Sequence, residues 1–422
     1  MVELREFECI NGEMLIGGIP VTKLAERYGT PVYVTDELAL RENFRRINKV
    51  FSRYIRTRIH YACKANTNLA ILRILRQEGS YIDAVSIGEV ETCLRAGFSP
   101  DRIMYTGVSV STKELEAVAS KGVLINIDSF SEMRRLAKIK KEIPISIRVN
   151  PDVGAGHHDH VVTGSRKSKF GIPKEEIVRA YTEAVDLDLI PVGLHAHIGA
   201  GVQDVEPFVK VTEVLTSIAR ELEDKLKINL EFIDIGGGIG IPYKPEEKPM
   251  DLELLAKEVV SKIEEGCSVK TLAVEPGRYI VADTTVLLTR IVDIKETSEK
   301  KFACVDAGFN VLIRPAFYGS YHHVVVANKL NAPGEVIYDV VGPICESGDF
   351  LAKERLLPRL EEGDLLVVYD AGAYGFAMSS QYNSRPRCRE ILVCNGVANV
   401  IREAETLDDL LRLQKIPSRL MV

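Results

Sequence analysis

Tyr61-Ala62-Cys63-Lys64-Ala65-Asn66 places one lysine directly after an apolar, strand-like run from Arg58 to Cys63. A lysine at the mouth of a buried strand is partly desolvated, which favours the neutral amine that condenses with a carbonyl. Position alone favours a solvated lysine just past a strand end, since most such lysines do nothing chemical. The surrounding chain has to decide between the two.

Outward from this stretch, short apolar runs alternate with helical segments. Strands are expected at Arg58 to Cys63, Tyr81 to Val85, Arg102 to Tyr105, Val123 to Ile127, Ile143 to Val149, Val192 to His197, Leu230 to Ile235 and Leu272 to Glu275. Between them, Asn68 can cap a run of leucines and isoleucines that Gly79 ends. Ser111-Thr112-Lys113-Glu114 and Ser129-Phe130-Ser131-Glu132 both have capping-box spacing. Eight strands alternating with helices over roughly 220 residues is the rhythm of a (β/α)8 barrel, with an open doubly wound sheet as the competitor.

On either side of this region the texture changes. Glu8-Cys9-Ile10-Asn11-Gly12-Glu13-Met14-Leu15 sets an Asn-Gly turn between two short runs, a β-hairpin signature, and a helix follows over Val21 to Tyr28. After about Ile280 the strand-like runs Thr285 to Ile294, Lys301 to Val305, Asp364 to Asp370 and Glu390 to Cys394 have few helical stretches between them, and a terminal helix is expected over Thr406 to Leu413. The chain therefore reads as α/β: a barrel over residues 36–280, and a β-rich, sandwich- or barrel-like domain over 281–422 that the N-terminal segment 1–35 joins.

The totals agree with two domains, since 422 residues exceed what one core supports and 46% are hydrophobic. A net charge of -6 argues against binding to nucleic acid or a membrane surface, leaving small molecules or other subunits as partners. Met1 to Glu6 has no basic region followed by an apolar stretch, and no later run approaches a membrane span, so the expected location is cytoplasmic. Eight scattered cysteines, without C-x-x-C spacing, are expected to be mostly reduced core residues.

In a parallel barrel the C-terminal strand ends meet on one rim, where catalytic groups are found. The expected rim carries Lys64, Asp83 and Ser86, Asp128, Arg148 and Asn150, His197, Gly236-Gly237-Gly238, and Glu275-Pro276-Gly277-Arg278. The glycines leave bare backbone N–H groups able to close round an anion at the strand ends where barrels favour phosphate, although a tight turn also explains them. His197, in His195-Ala196-His197, is read as a flat ring stacked on a flat cofactor rather than as a metal ligand, because no third ligand stands at sensible spacing. Glu275 ends an apolar strand and needs a buried partner; a protonated ring nitrogen would serve, and so would Arg278. Lysine for a Schiff base, glycines for phosphate, histidine for a ring face and carboxylate for a pyridine nitrogen together describe a socket for pyridoxal phosphate.

In the second domain, Arg314 and Tyr318 of Ile313-Arg314-Pro315-Ala316-Phe317-Tyr318 can grip a carboxylate. Gly342-Pro343-Ile344-Cys345-Glu346-Ser347-Gly348-Asp349 sets a thiol and two acids on a glycine-bracketed loop, and Tyr374 in Gly372-Ala373-Tyr374-Gly375 is a further candidate.

These motifs resemble the diaminopimelate decarboxylases, a branch of the fold type III pyridoxal-phosphate decarboxylases that also include ornithine and arginine decarboxylases. The resemblance runs through Tyr61 to Asn66, Arg148 to Pro151, Thr163-Gly164 with Lys169-Phe170-Gly171, His195 to Gly199, Gly236 to Gly238, Glu275 to Arg278, Asp306-Ala307-Gly308, Arg314 to Tyr318, Cys345 to Asp349 and Gly372 to Gly375. It implies that Lys64 holds the cofactor covalently, that His197 stacks on its ring, and that Gly236 to Gly238, Gly277 and Arg278 bind its phosphate. It further implies that Glu275 keeps the ring nitrogen protonated, that Arg278, Arg314 and Tyr318 hold the retained carboxylate, and that Tyr374 touches phosphate and substrate. Cys345, as proton donor, and Glu346, reading the distal ammonium of meso-diaminopimelate, would enter from the partner of a head-to-tail homodimer.

Three places depart from the family pattern: Ala200 stands where a serine is usual, the stretch Thr106-Gly107-Val108-Ser109 lacks an asparagine and lysine, and Ile87 replaces a glycine. An ornithine- or arginine-type decarboxylase is the runner-up, distinguished by Arg278 and Glu346. A racemase would set a cation rather than Glu275 at the ring nitrogen, and a non-catalytic cofactor carrier of this fold would end after the barrel.

Overall fold

The computed structural model describes residues 5, 7–10, 12–153, 164 and 168–421. The chain divides into two compact units, one of Arg41–Pro242 with Lys248–Val281, the other of Glu3–Leu40, Tyr243–Glu247 and Ala282–Val422.

The first unit is a closed parallel barrel. Its strands are Arg56–Ala62, Tyr81–Ala84, Ile103–Tyr105, Leu124–Ile127, Pro144–Asn150, Ile190–His195, Phe232–Asp234 and Thr271–Val274. Each pairs with the next, and Val274 pairs with Ile59 to close the ring, which rules out the open doubly wound sheet. All eight expected strands are present within a few residues. The C-terminal end shifts most at the sixth, so that His197 lies two residues past its strand.

The helices begin where the sequence signals them. Asn68 Oδ1 accepts from the amide of Ala70 at 2.9 Å and opens Leu69–Gln77. Ser111 and Ser129 each accept from the amide three residues on at 3.2 Å, so the serine half of the expected capping boxes is present. The glutamate half is not. Glu132 reaches one residue further back, to the Asp128 amide at 2.9 Å, and Glu114 takes the Ile87 amide and the Tyr105 hydroxyl. The Asp128 amide follows a strand end and the Ile87 amide opens the helix Ile87–Arg95, so both acids take amides that have no ladder or intrahelical acceptor.

Inside the barrel Met104, Phe232 and Ala273 pack together, with Leu124 and Val192 against them. Gly193 makes room for that plug, since a Cβ there would lie 2.2 Å from the Phe232 ring. Further along, Arg148, His195 and Asp234 are direct partners across three neighbouring strands, so their side chains share one face.

The second unit is built round Thr285–Glu296, which pairs with Lys301–Val305, Leu365–Val368 and the N-terminal strand Val32–Asp36. Neighbouring residues on these strands feed two separate apolar clusters. Tyr33, Leu287 and Val368 enter one, and Val34, Val286 and Val367 enter the other. Period-two alternation explains this, with both faces of the sheet covered. The sequence reading did not anticipate Val32–Asp36, Val324–Val326, Val336–Val341, Phe350–Leu357 or Val397–Arg402.

The hairpin forms between Cys9–Ile10 and Glu13–Ile16, with Asn11 of its turn outside the described residues, and the following helix spans Val21–Tyr28. The terminal helix is shorter than expected, Leu407–Leu411, and carries the full capping box from Thr406 and Asp409. All eight cysteines are free, but only Cys63, Cys93 and Cys388 are buried. Among the described residues no helix is long and apolar enough to cross a membrane.

Candidate active site

Lys64 lies in a short turn, Cys63–Ala65, just past the first barrel strand, with Nζ 3.6 Å from Oδ2 of Asp83 at the end of the second. Burial, and after it the charge on Glu275, lifts the Asp83 carboxyl to about 7 against the opposing pull of Lys64. Glu275 follows the eighth strand and is 2 % exposed. Burial raises its proton affinity, yet His195, His197 and Lys64 outweigh burial and hold it ionised, well below the usual carboxylate range. Asp234 goes the other way, pushed well up by burial and by the Glu275 charge. Like charges crowded in one desolvated space cannot all persist, and Glu275 keeps its own because the cationic and imidazole groups face it.

His195 Nε2 is 3.2 Å from Glu275 Oε1, close but off the line of a good hydrogen bond. His195, Asp234 and Glu275 bring one donor atom each within 4.8 Å of one another, the third ligand that sequence spacing alone did not reveal. With Asp234 neutral the set carries a single negative charge, which Lys64 and Arg148 face, so it reads as a balanced acid–base cluster rather than a divalent-cation site.

His197 is half-buried, and its Nδ1 accepts from the Gly199 amide at 3.0 Å. Burial, then Lys64, keeps it neutral, which leaves its proton on Nε2.

Gly236 and Gly238 have φ of +73° and +104°, and a Cβ on Gly237 would lie 2.2 Å from the Glu275 carbonyl oxygen. Tight packing of the strand ends therefore demands these glycines whatever they bind. In the same place the amides of Gly237, Gly238 and Gly277 have no acceptor among the described residues. Bare donors gathered after the seventh and eighth strands suit a phosphate. Arg278, 8 % exposed, opens the short helix Arg278–Val281 beside them.

The remaining candidates belong to the second unit. Arg314 is buried, its Nη1 3.1 Å from Nε2 of His322, its Nη2 3.3 Å from Ser320 Oγ, and its guanidinium 5.0 Å from the Tyr243 ring centre. Because His322 Nδ1 donates to the Tyr369 carbonyl at 2.8 Å, Nε2 is left to accept from Arg314. Tyr318 is half-buried with its ring edge-on to Phe317, and Tyr374 has a φ of +59°.

Cys345 and Glu346 are exposed on a stiff loop. Asp349 accepts from the amides of Phe309 and Ile344, both at 2.6 Å, Asn383 accepts from the Cys345 amide, and the Tyr382 hydroxyl donates to Glu346. Of the motifs read from sequence, Thr163 lies outside the described residues.

Sequence reasoning left Arg148 and Asp128 without a role, gave His195 none of its own and passed over Asp234. The missed signal was register, since residues one strand apart at equal depth in a parallel barrel share a face.

Comparison with known proteins follows the same lines. Residues 38–282 match the family model described as pyridoxal-dependent decarboxylase, pyridoxal binding domain. The chain is 53% identical to diaminopimelate decarboxylase of Methanothermobacter thermautotrophicus over 97% of each chain. It is 46% identical to that of Archaeoglobus fulgidus over 98% of this chain and all of the other. Among solved structures, diaminopimelate decarboxylase from M. jannaschii in complex with L-lysine superposes with a TM-score of 0.93 at 32% identity, covering 100% of both chains.

Proposed function

This chain belongs to the pyridoxal-dependent decarboxylases, and on that premise we propose that it decarboxylates meso-2,6-diaminopimelate to L-lysine and CO2, the last step of lysine biosynthesis. One observation carries the reading: a fully buried carboxylate, Glu275, is held ionised with its Oε1 short of a well-aligned partner, on the rim that also bears Lys64 and the bare glycine amides. A buried anion needs a cation, and a protonated pyridine nitrogen supplies one. The residues therefore fit pyridoxal phosphate, which when bound provides the electron sink that carboxylate loss requires.

Each residue has a part. Lys64 would hold the cofactor through Nζ. Asp83, close to that Nζ, takes up or returns a proton near neutrality, where its carboxyl titrates. His197 would offer its neutral ring to the cofactor ring, and Glu275 would keep a proton on the ring nitrogen. Gly236, Gly237, Gly238, Gly277 and Arg278 hold the phosphate. Arg278, Arg314 and Tyr318 hold the carboxylate that stays, and Tyr374 contacts both phosphate and substrate. The buried Arg314, oriented by His322 and Ser320, is already set to receive a carboxylate.

Cofactor binding is assigned to residues 36–280, with 1–35 and 281–422 forming the β domain. The working unit is a head-to-tail homodimer in which Cys345 Sγ donates a proton to the reacting carbon, and Glu346 reads the distal ammonium, in the partner's site. Their exposure on a loop stiffened by Asp349 supports this. A cytoplasmic location suits eight cysteines that all remain thiols.

The test is a side-by-side assay of meso-diaminopimelate, ornithine, arginine and lysine with added pyridoxal phosphate. Lysine forming only from diaminopimelate is the expected result. Turnover of a basic amino acid in its place would overturn the substrate assignment while keeping the cofactor.

A further inference from the structure

Glu275 does not hold its charge alone. His195 and Asp234 are direct register partners on adjacent strands, both 0 % exposed, and Arg148 flanks His195 on the other side. The amide of Gly236 occupies Oδ1 of Asp234 at 2.8 Å, so a proton on this carboxyl sits on Oδ2, which has no partner among the described residues. That leaves two groups able to donate beside one acceptor, the Glu275 carboxylate: His195, whose Nε2 lies 3.2 Å from Oε1 but off the hydrogen-bond line, and a protonated Asp234 carboxyl, one oxygen of which lies in the same 4.8 Å cluster.

We propose that His195 is a positioning residue for the reaction: supported by Asp234, it donates to the Glu275 carboxylate and holds it in register with the cofactor ring nitrogen. The proposal deepens the reading of Glu275 given above and rests on it. The donor has to be neutral, because an imidazolium would pass its proton to Glu275 or cancel the charge that the ring nitrogen needs. Burial, together with Arg148 and Lys64, keeps His195 neutral against the pull of Glu275. The other charged or titratable groups that reach this cluster are Arg58, His60, Asp83, Asp128 and His197.

The test compares holoenzyme carrying pyridoxal phosphate isotopically labelled at the ring nitrogen, as wild type and as His195→Phe, His195→Gln and Glu275→Gln. Nitrogen NMR against pH reports when the ring loses its proton. In His195→Phe the proton is expected to leave at least about one pH unit lower, a tenfold loss of proton affinity, with kcat down about tenfold or more and KM within about twofold. His195→Gln, whose amide can donate, should recover most of both. Ring titration and kcat in His195→Phe equal to wild type would overturn the proposal, as would a His195→Gln enzyme no better than His195→Phe. If His195→Phe does not fold, His195→Leu replaces it under the same criteria. Glu275→Gln separates the two levels: an unchanged ring titration there overturns the Glu275 reading itself, and the proposal with it.

Discussion

The barrel rim and the Cys345 to Asp349 loop carry the two halves of one proposed chemistry in opposite physical states. On the rim, Glu275, Asp234, Asp83, His195 and His60 are buried, several of their polar atoms lack partners among the described residues, and their proton affinities are displaced in both directions. On the loop, Cys345 and Glu346 are exposed while the backbone beneath them is firmly bonded. Desolvation makes a site announce itself, because unpaired buried groups cost free energy and call for a ligand. A loop proposed to work in a neighbouring subunit shows no such signature in its own chain. It is rigid, solvated and outwardly ordinary.

Four experiments would break or sharpen that contrast. The largest effect falls on the rim: Lys64→Ala should lower decarboxylation by about 10⁴-fold or more and abolish borohydride trapping of the cofactor. A trapped adduct in that variant would remove Lys64 from its assigned place.

Next comes the loop. Cys345→Ala should cost about 10²-fold in kcat with KM nearly unchanged, and equal mixing with Lys64→Ala should restore up to about a quarter of wild-type activity through hybrid dimers. No recovery, with subunit exchange verified by mass, would place Cys345 in its own chain's site.

A smaller effect concerns acid stability. His60 is buried and stacked on Tyr81, 5.3 Å between ring centres, and burial lowers its titration from 6.5 to about 4. Between those values the unfolded chain binds a proton that the folded one refuses, so stability is present above about 6.5 and is lost as pH falls towards about 4. In His60→Gln that component vanishes, and the Tm should fall less steeply over the same range. A wild-type slope would remove His60 from the account.

The smallest is Ala200→Ser, which returns one hydroxyl to the region read as phosphate-binding. One added hydrogen bond, about 1 kcal/mol, should tighten cofactor binding about fivefold, measured by equilibrium titration of the apoenzyme.

How much of this was legible in the chain depends on the range of the interaction. Strand rhythm, serine caps and the Asn68 cap are local, and each stood close to its expected place. The reading passed over Val32–Asp36, which precedes the barrel in sequence but pairs with Thr285–Glu296 some 250 residues later, because no local pattern announces that partner. His195 and Asp234 escaped for the same reason: each lies in an ordinary apolar strand, and only the parallel register makes them neighbours.

By itself, then, the sequence determined the order of elements and the kinds of chemical group present, since periodicity, capping and motif spacing are properties of adjacent residues. The tertiary structure alone decided the closure of the barrel through Val274 and Ile59, and which buried carboxylate keeps its charge. Both are set by contacts between strands distant in the chain, and by the water those contacts exclude.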